Sequence, residues 1–380
     1  RWFRDHGYNT LRDGKIFHEC IDDEAGWVVG GQARRYADDA SESIDSAASG
    51  RGGAAPAAGG RGKAAPAQPN TPQRAGGSDS IVVLPGNGET YQDYQHATRT
   101  IELLKQYKDA DKPFFMACGF TNPHSPPRAP QTFFDLYDVN QIPLPVDFAS
   151  HPTVPPGFPE LSVVPRNTDL FIGRDATEAQ AREMKRAYWA SVSFMDDNVG
   201  RVLRALDELG LRENTIVVFW GDHGYHLGEK GRWSKAYSLF DIATRAPLMI
   251  AAPGVTAKDG AVCARPVEAI NLYRTLCDLT GIAMPDKVEG VSMVPLLKNP
   301  TMAWDRPAYS VVAYRDAIGR SVRTDRWRYT QWDFGTRGEV LLDERNDPHE
   351  LKNLAADPQH ASVVAEMKAL LAKLPEEPAK

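Results

Sequence analysis

The feature that most constrains this chain is an apolar run that ends abruptly. Ile216 to Trp220 is β-branched and aromatic, as a buried strand is, and it stops at Gly221-Asp-His-Gly224. In open α/β sheets the loops at the carboxyl ends of the strands form the ligand crevice, so Asp222 and His223 are expected to project into one rather than into the core. The flanking glycines let the backbone approach an ion or ligand closely. Glu229, Lys230, Arg232 and Lys235 follow within one short loop that carries Trp233 and is punctuated by glycine. The loop reads as too polar for a core, which makes it an active-site loop candidate. A second apolar run, Pro247 to Ala252, closes the unit as the next strand.

Composition sets the outer limits. With 380 residues, 42% hydrophobic and 25% charged, the chain is long enough for one large domain with a smaller satellite. A net charge of -6 argues against a nucleic-acid binder, so any anionic substrate must be met by a local cluster of cations. There is no apolar run of about 18 residues, and no transmembrane helix is expected. The sequence opens at Arg1-Trp-Phe without Met or a signal peptide, which suggests a truncated or processed product. Cys20, Cys118, Cys263 and Cys277 show neither CxxC pairing nor zinc-ribbon spacing and leave the compartment undecided.

Arg1 to Thr10 reads as the end of a helix and a turn, followed by a short segment with Gly14-Lys-Ile-Phe-His18. From Asp45 to Ser80 there is no Val, Leu, Ile, Met or aromatic residue, and such a stretch cannot offset its ordering entropy. It is expected to be a disordered surface insertion, with structure resuming at Ile81. Tyr94 to Tyr107 has apolar residues at helical spacing, and Pro113 to Phe120 is a buried strand followed by Thr121-Asn-Pro-His124. Phe133 to Pro165, rich in proline and aromatics, reads as an irregular excursion of the kind that forms a lid or substrate wall. Arg182 to Leu209 is the longest helix, with Met184, Tyr188, Val192, Met195, Val199, Leu203 and Leu206 as its stripe. Asp196 and Asp197 within it suit a metal or, more simply, a solvated face.

A further helix is expected from Val267 to Gly281. Helix followed by strand, repeated, is the doubly wound α/β signature. From Tyr309 the pattern changes to short alternating strands, ending near Leu342, and then a helix from Ser362 to Leu374. The expected division is an α/β domain over 1–300 and a small antiparallel-sheet subdomain over 301–380.

The groups at strand ends are Asp222, His223, His124, Lys15, His18 and Lys235. A carboxylate and an imidazole at adjacent positions can ligate a divalent cation, while lysines and histidines supply donors to an anionic oxygen. Together they suit a charged tetrahedral ester such as a sulfate or phosphate. Taken singly, each is also a satisfied loop residue; Lys15 and His18 in particular fit a solvated turn.

Ordered motifs narrow the choice. Gly221-Asp-His-Gly-x-x-Leu-Gly-Glu-x-Gly-x-Trp-x-Lys235, Phe240-Asp-x-Ala-Thr-x-x-Pro-Leu248 and Ala252-Pro-Gly254 closely resemble the sulfatase family, especially its iduronate 2-sulfatase branch. Gly14-Lys-x-Phe-His18, Phe120-x-x-Pro-His124 and Asp343-x-x-x-Asp-Pro-x-Glu350 with Asn353-Leu354 resemble it too. The resemblance covers nearly the whole chain outside the insertion. It implies an alkaline-phosphatase-like mixed sheet flanked by helices, with a small C-terminal antiparallel sheet. It also implies a sulfuric ester hydrolase, an exosulfatase on sulfated glycans. Asp222 and His223 would be ligands of a divalent metal, calcium in this family. Lys15, His18, His124 and Lys235 would bind the sulfate and protonate the leaving group. Export to the periplasm, the cell exterior or the lysosome is implied by the resemblance alone.

The chain departs from the family at one point. Members open with a strand of paired aspartates and a Cys-x-Pro-x-Arg motif, whose Cys becomes the formylglycine nucleophile through a formylglycine-generating enzyme. None of the four cysteines stands in that motif, and Asp22 and Asp23 beside Cys20 lie on no expected strand. The expectation is a chain that starts after the nucleophile segment and is inactive by itself. A phosphate or phosphonate ester hydrolase of the same fold and a non-catalytic binder of anionic sugars are the alternatives.

Overall fold

A computed structural model describes residues 1–18, 22–30, 77–257 and 260–374. After a one-turn helix, α1 (Trp2–Asp5), the first strand is β1 (Asn9–Gly14). Then come β2 (Val82–Leu84), α2 (Gln92–Tyr107), β3 (Phe114–Gly119), β4 (Arg128–Pro130) and α3 (Gln131–Phe134). The long helix α4 (Glu178–Glu208) leads to β5 (Val217–Trp220), α5 (Asp241–Thr244) and β6 (Leu248–Ala251). The helices α6 (Asn271–Thr280) and α7 (Val294–Lys298) precede the strands β7 (Ala308–Tyr314), β8 (Ala317–Arg323), β9 (Trp327–Trp332) and β10 (Glu339–Asp343), and α8 (Ala361–Leu371) closes the described chain.

Two pairings position the site. β1 runs parallel to β3 with Asn9 opposite Phe114 and Gly14 opposite Gly119, while β5 runs antiparallel to β6. The β1–β3 pair, with α2 between them in sequence, is a parallel crossover unit; the antiparallel β5–β6 pair makes the architecture mixed rather than uniformly doubly wound. Leu104 of α2 and Ala205 and Leu206 of α4 pack with Phe114 and Met116 of β3 and Val217 of β5, so both helices share one core with these strands. α4 starts at a capping box in which Thr177 and Gln180 satisfy each other's backbone amides.

Asn9–Gly14, expected to be the end of a turn and the start of a short segment, is a strand. Leu11 is its only large apolar residue, and its polar neighbours are absorbed by partners: Thr10 Oγ1 donates to Gly26 O, and Arg12 forms a two-pronged pair with Asp22 at 2.6 and 2.7 Å. Buried polar residues satisfied in this way hide the strand from any reading of hydrophobic periodicity. The α4 stripe is also rotated from expectation, with Ala187, Ala190 and Phe194 buried and Tyr188 and Val192 only partly so, because small alanines allow closer packing against β4 and α3.

Of the expected insertion at 45–80, residues 45–76 lie outside the described residues. The described residues resume at Gly77, before Ile81. Asp79 is buried and accepts from Arg174 at 2.7 and 2.8 Å and from the Ile172 amide, an ion pair that composition cannot reveal.

The C-terminal strands form the meander β10-β9-β8-β7, covered by α8 through Val364, Met367 and Leu371 against Val322, Tyr329 and Leu341. This sheet is fastened to the larger part by charge. Arg328, 3% exposed, lies 2.6 Å from Asp241, 2.8 Å from Glu344 and 3.0 Å from Glu350. Glu350 Oε2 in turn accepts from the Asp241 amide at 2.8 Å.

Candidate active site

Parallel pairing brings the ends of β1 and β3 together. Lys15 N donates to Gly119 O at 3.0 Å, and a Cβ on Gly119 would stand 2.0 Å from the Lys15 carbonyl oxygen, so only glycine permits this approach. Beyond β3, the Thr121–His124 loop is clamped by the first turn of α2. The fully buried Asp93 carboxylate accepts from the Thr121 and Asn122 amides at 2.8 Å each, and Gln92 Nε2 donates to Thr121 Oγ1 at 2.9 Å. His124 follows directly, with Nδ1 2.8 Å from Ser125 O. Nδ1 therefore carries the hydrogen and Nε2 presents its lone pair. Burial, then the charges of Lys235 and Lys15, hold its pKa below the usual imidazole value.

Lys235 Nζ lies 3.5 Å from His124 Nε2 and 3.2 Å from Asp169 Oδ2. Lys235 and His124 thus meet directly, and Lys15, fixed beside Gly119 at the end of β1, is near enough for its charge to act on His124. His18 lies exposed, three residues beyond Lys15. Asp169 was not foreseen; it sits in an irregular segment with no motif around it. Tyr225 joins the same group, its OH donating to Trp233 O at 3.1 Å and its pKa raised by burial and by Asp169.

The Asp222–His223 turn follows β5. His223 Nε2 is 3.5 Å from Asp222 Oδ2, and the Asp222 side chain is 81% exposed. Tyr188 connects the two halves of the site. It stacks on Tyr225 with ring centroids 5.3 Å apart, and its pKa is raised by burial and by Asp222. Asp222 and His223 fit one side of a cation site: an exposed carboxylate and an imidazole, with no Lys or Arg paired to that carboxylate among the described residues. They supply two donors where calcium takes roughly 6 to 8, and no group of three or more His, Cys, Asp or Glu gathers as a metal cluster among the described residues.

The loop between the two halves is built as core. Lys230 and Arg232, read from sequence as too polar to be buried, are 3% and 2% exposed. Lys230 Nζ donates to Asp147 Oδ2 at 2.9 Å and to His349 O at 3.2 Å, and the Arg232 guanidinium donates to the Val164, Arg166 and Ala236 carbonyls. Lys230 has two acceptors and Arg232 three, which is how a charged side chain is buried without a large cost. Glu229 is half-buried and accepts from the Leu227 amide. Trp233 is fully buried against Phe171 and Leu170. The Phe133–Pro165 excursion supplies acceptors for this loop through Asp147 and Val164, and so braces it. Asp196 and Asp197 are exposed on α4, as a solvated face requires. Asp22 is held by Arg12 and Asp23 by Arg1, away from Asp222 in role and partner.

None of the described cysteines is an evident nucleophile. Burial pushes the Cys118 thiol up to about 12 and raises that of Cys277, and Cys263 is exposed with no site residue bonded to it. Cys20 lies outside the described residues. No described helix is long and apolar enough to cross a membrane.

The sulfatase family profile matches residues 1–282, and the profile of the N-sulphoglucosamine sulphohydrolase C-terminal region matches residues 228–377. A sulfatase of Formosa agariphila is 32% identical over 379 residues, 98% of this chain and 68% of that protein. Human iduronate 2-sulfatase is 30% identical over 334 residues, 76% of this chain but only 55% of the relative. Among solved structures, the phosphonate monoester hydrolase of Agrobacterium radiobacter superposes with a TM-score of 0.64 at 22% identity, covering 78% of this chain and 62% of that one. The chain thus spans 55% to 68% of the length of these proteins.

Proposed function

Because this chain belongs to the sulfatase family and has its alkaline-phosphatase-like α/β fold, we propose that it contributes the ester-binding and leaving-group side of a sulfuric ester hydrolase acting on sulfated sugars. The observation that carries the reading is the convergence of Lys15, His124 and Lys235 from three separate segments, with Lys235 Nζ 3.5 Å from His124 Nε2. Lys15 and Lys235 are compact charges on flexible stems and suit the non-bridging oxygens of a sulfate ester. His124, neutral and with Nε2 free to accept, takes a hydrogen bond from Lys235, whose ammonium is the proton source for the departing sugar oxygen. His18 belongs at the exposed rim, where it meets the ester from the solvent side.

Asp222 and His223 would hold a divalent cation, most simply calcium, which when bound neutralises charge on the ester oxygens. The 380 residues hold no Cys-x-Pro-x-Arg sequence, so the nucleophile is assigned to none of them. A formylglycine made by its generating enzyme is the nucleophile this reading requires in the whole protein. The name of the human relative points to a 2-sulfated iduronate as the sugar, and the action proposed is removal of the sulfate from such a residue at a glycan chain end. A phosphate or phosphonate ester is the competing substrate, because Lys15 and Lys235 would serve either oxyanion.

The test is Lys235→Ala in the whole protein. Turnover of an aryl sulfate should fall by about two to three orders of magnitude, the scale of a lost transition-state donor, with the unfolding midpoint nearly unchanged. An unaltered rate removes Lys235 from the site.

A further inference from the structure

One carboxylate stands among the cations of this site. Asp169 Oδ2 is 3.2 Å from Lys235 Nζ, with the Asp169 side chain only 14% exposed. It is held there rather than drawn there. Leu170 and Phe171 are buried anchors packed on Trp233, the Leu170 amide donates to Trp233 O, and Thr168 Oγ1 bridges to both Asp169 and Ser234. The same segment that carries Asp169 is thereby locked onto the loop that carries Lys235. A pocket meant only to gather negative charge gains nothing from a fixed carboxylate, whereas a pocket meant to distinguish two anions does.

We propose that Asp169 is a specificity-determining residue: placed against Lys235, it removes one unit of positive charge from the oxyanion subsite and favours a singly charged sulfate ester over a doubly charged phosphate monoester. The inference rests on the oxyanion assignment made above for Lys15, His124 and Lys235. Its logic is differential. A phosphate monoester carries close to two charges above its second pKa of about 6, so it feels a carboxylate in the subsite twice as strongly as a sulfate ester does. Other fixed charges, such as the buried Arg232, are the same for both esters and drop out when only residue 169 is changed.

The experiment uses the 380-residue chain and measures binding, so it needs no turnover. 4-Nitrophenyl sulfate and 4-nitrophenyl phosphate are titrated at pH 8 against the wild type, Asp169→Asn and Asp169→Glu, following the His124 ring signal by NMR. The asparagine variant should shift the affinity ratio by about tenfold towards the phosphate, and the glutamate variant should hold the ratio within about threefold of wild type. An unchanged ratio in Asp169→Asn, with both esters still bound, overturns the proposal, as does a glutamate variant that shifts as far as asparagine. If the wild type binds neither ester at this signal, the oxyanion assignment itself fails and this inference falls with it. Should Asp169→Asn not fold, Asp169→Ser removes the same charge and carries the same expectations.

Discussion

Replacing Arg328 with methionine probes how the C-terminal sheet supports the Asp222–His223 turn. The guanidinium is 3% exposed and faces three carboxylates, Asp241, Glu344 and Glu350, at 2.6 to 3.0 Å. Methionine fills most of the space but leaves those carboxylates facing one another, with Arg323 at 3.3 Å from Glu344 and 4.0 Å from Asp241, and the exposed Arg245 at 3.0 Å from Asp241, as the remaining cations. Removing one partner from a buried charge cluster costs about 3 to 5 kcal/mol. The effect should reach the site, because the Gly224 amide donates to Ala243 O at 2.8 Å and so rests on the α5 turn that Arg328 holds through Asp241.

The pH dependence has a definite sign. Burial pushes the Glu350 carboxyl above its usual range, and Arg328 opposes that push. A carboxyl whose folded pKa is raised favours folding while it is protonated, and that contribution fades as pH climbs from the ordinary carboxylate range through the raised value. Without Arg328 the folded pKa rises further, so the deficit of the variant should be larger at pH 8 than at pH 6. Urea unfolding at the two pH values, with slopes compared to confirm a common unfolding transition, measures both quantities. A loss below about 1 kcal/mol, the scale of an exposed pair, refutes the reasoning, and so does a deficit that shrinks as pH rises.

Three further outcomes follow from the geometry. Gly224→Ala would set a Cβ 2.1 Å from the Ile242 carbonyl oxygen, so the turn must move; a loss of about 1 to 3 kcal/mol in urea unfolding is expected, and a neutral effect would show that the contact with α5 is dispensable. Asp93→Ala leaves the Thr121 and Asn122 amides without their acceptor and should cost about 1 to 3 kcal/mol while shifting the His124 ring signal; stability lost with that signal unmoved would separate Asp93 from the site. The 380-residue chain should give no nitrophenol from 4-nitrophenyl sulfate with calcium present, and turnover by it would mean that a nucleophile stands among these residues after all.

The candidate site was legible in the sequence wherever an apolar run ended in polar residues. β5 before Asp222 and β3 before His124 were both visible for that reason, and the C-terminal meander was visible through its alternation. What stayed hidden was polar structure. β1 carries one large apolar residue, and its Thr10 and Arg12 are buried by partners at Gly26, Asp22 and Gly30 that lie outside the strand. Lys230 and Arg232 looked like site residues because charge normally means solvent, yet their carbonyl and carboxylate acceptors come from the 147–166 excursion and from His349. Asp79 was assigned to a spacer for the same reason, since its partner Arg174 is 95 residues away. Asp169 had no local signal at all. Each of these depends on a contact between distant segments, which periodicity and composition do not encode.

The central claim is that Lys15, His124 and Lys235 form one oxyanion subsite. It is tested most directly by following the His124 ring signal of the 380-residue chain while 4-nitrophenyl sulfate is added, in the wild type and in Lys235→Ala. The account predicts a saturable shift in the wild type and a loss of affinity of about tenfold or more in the variant, the scale of a charge-assisted contact of about 1.5 to 3 kcal/mol. Equal affinity in the two proteins, or a signal that does not respond to the ester, contradicts it.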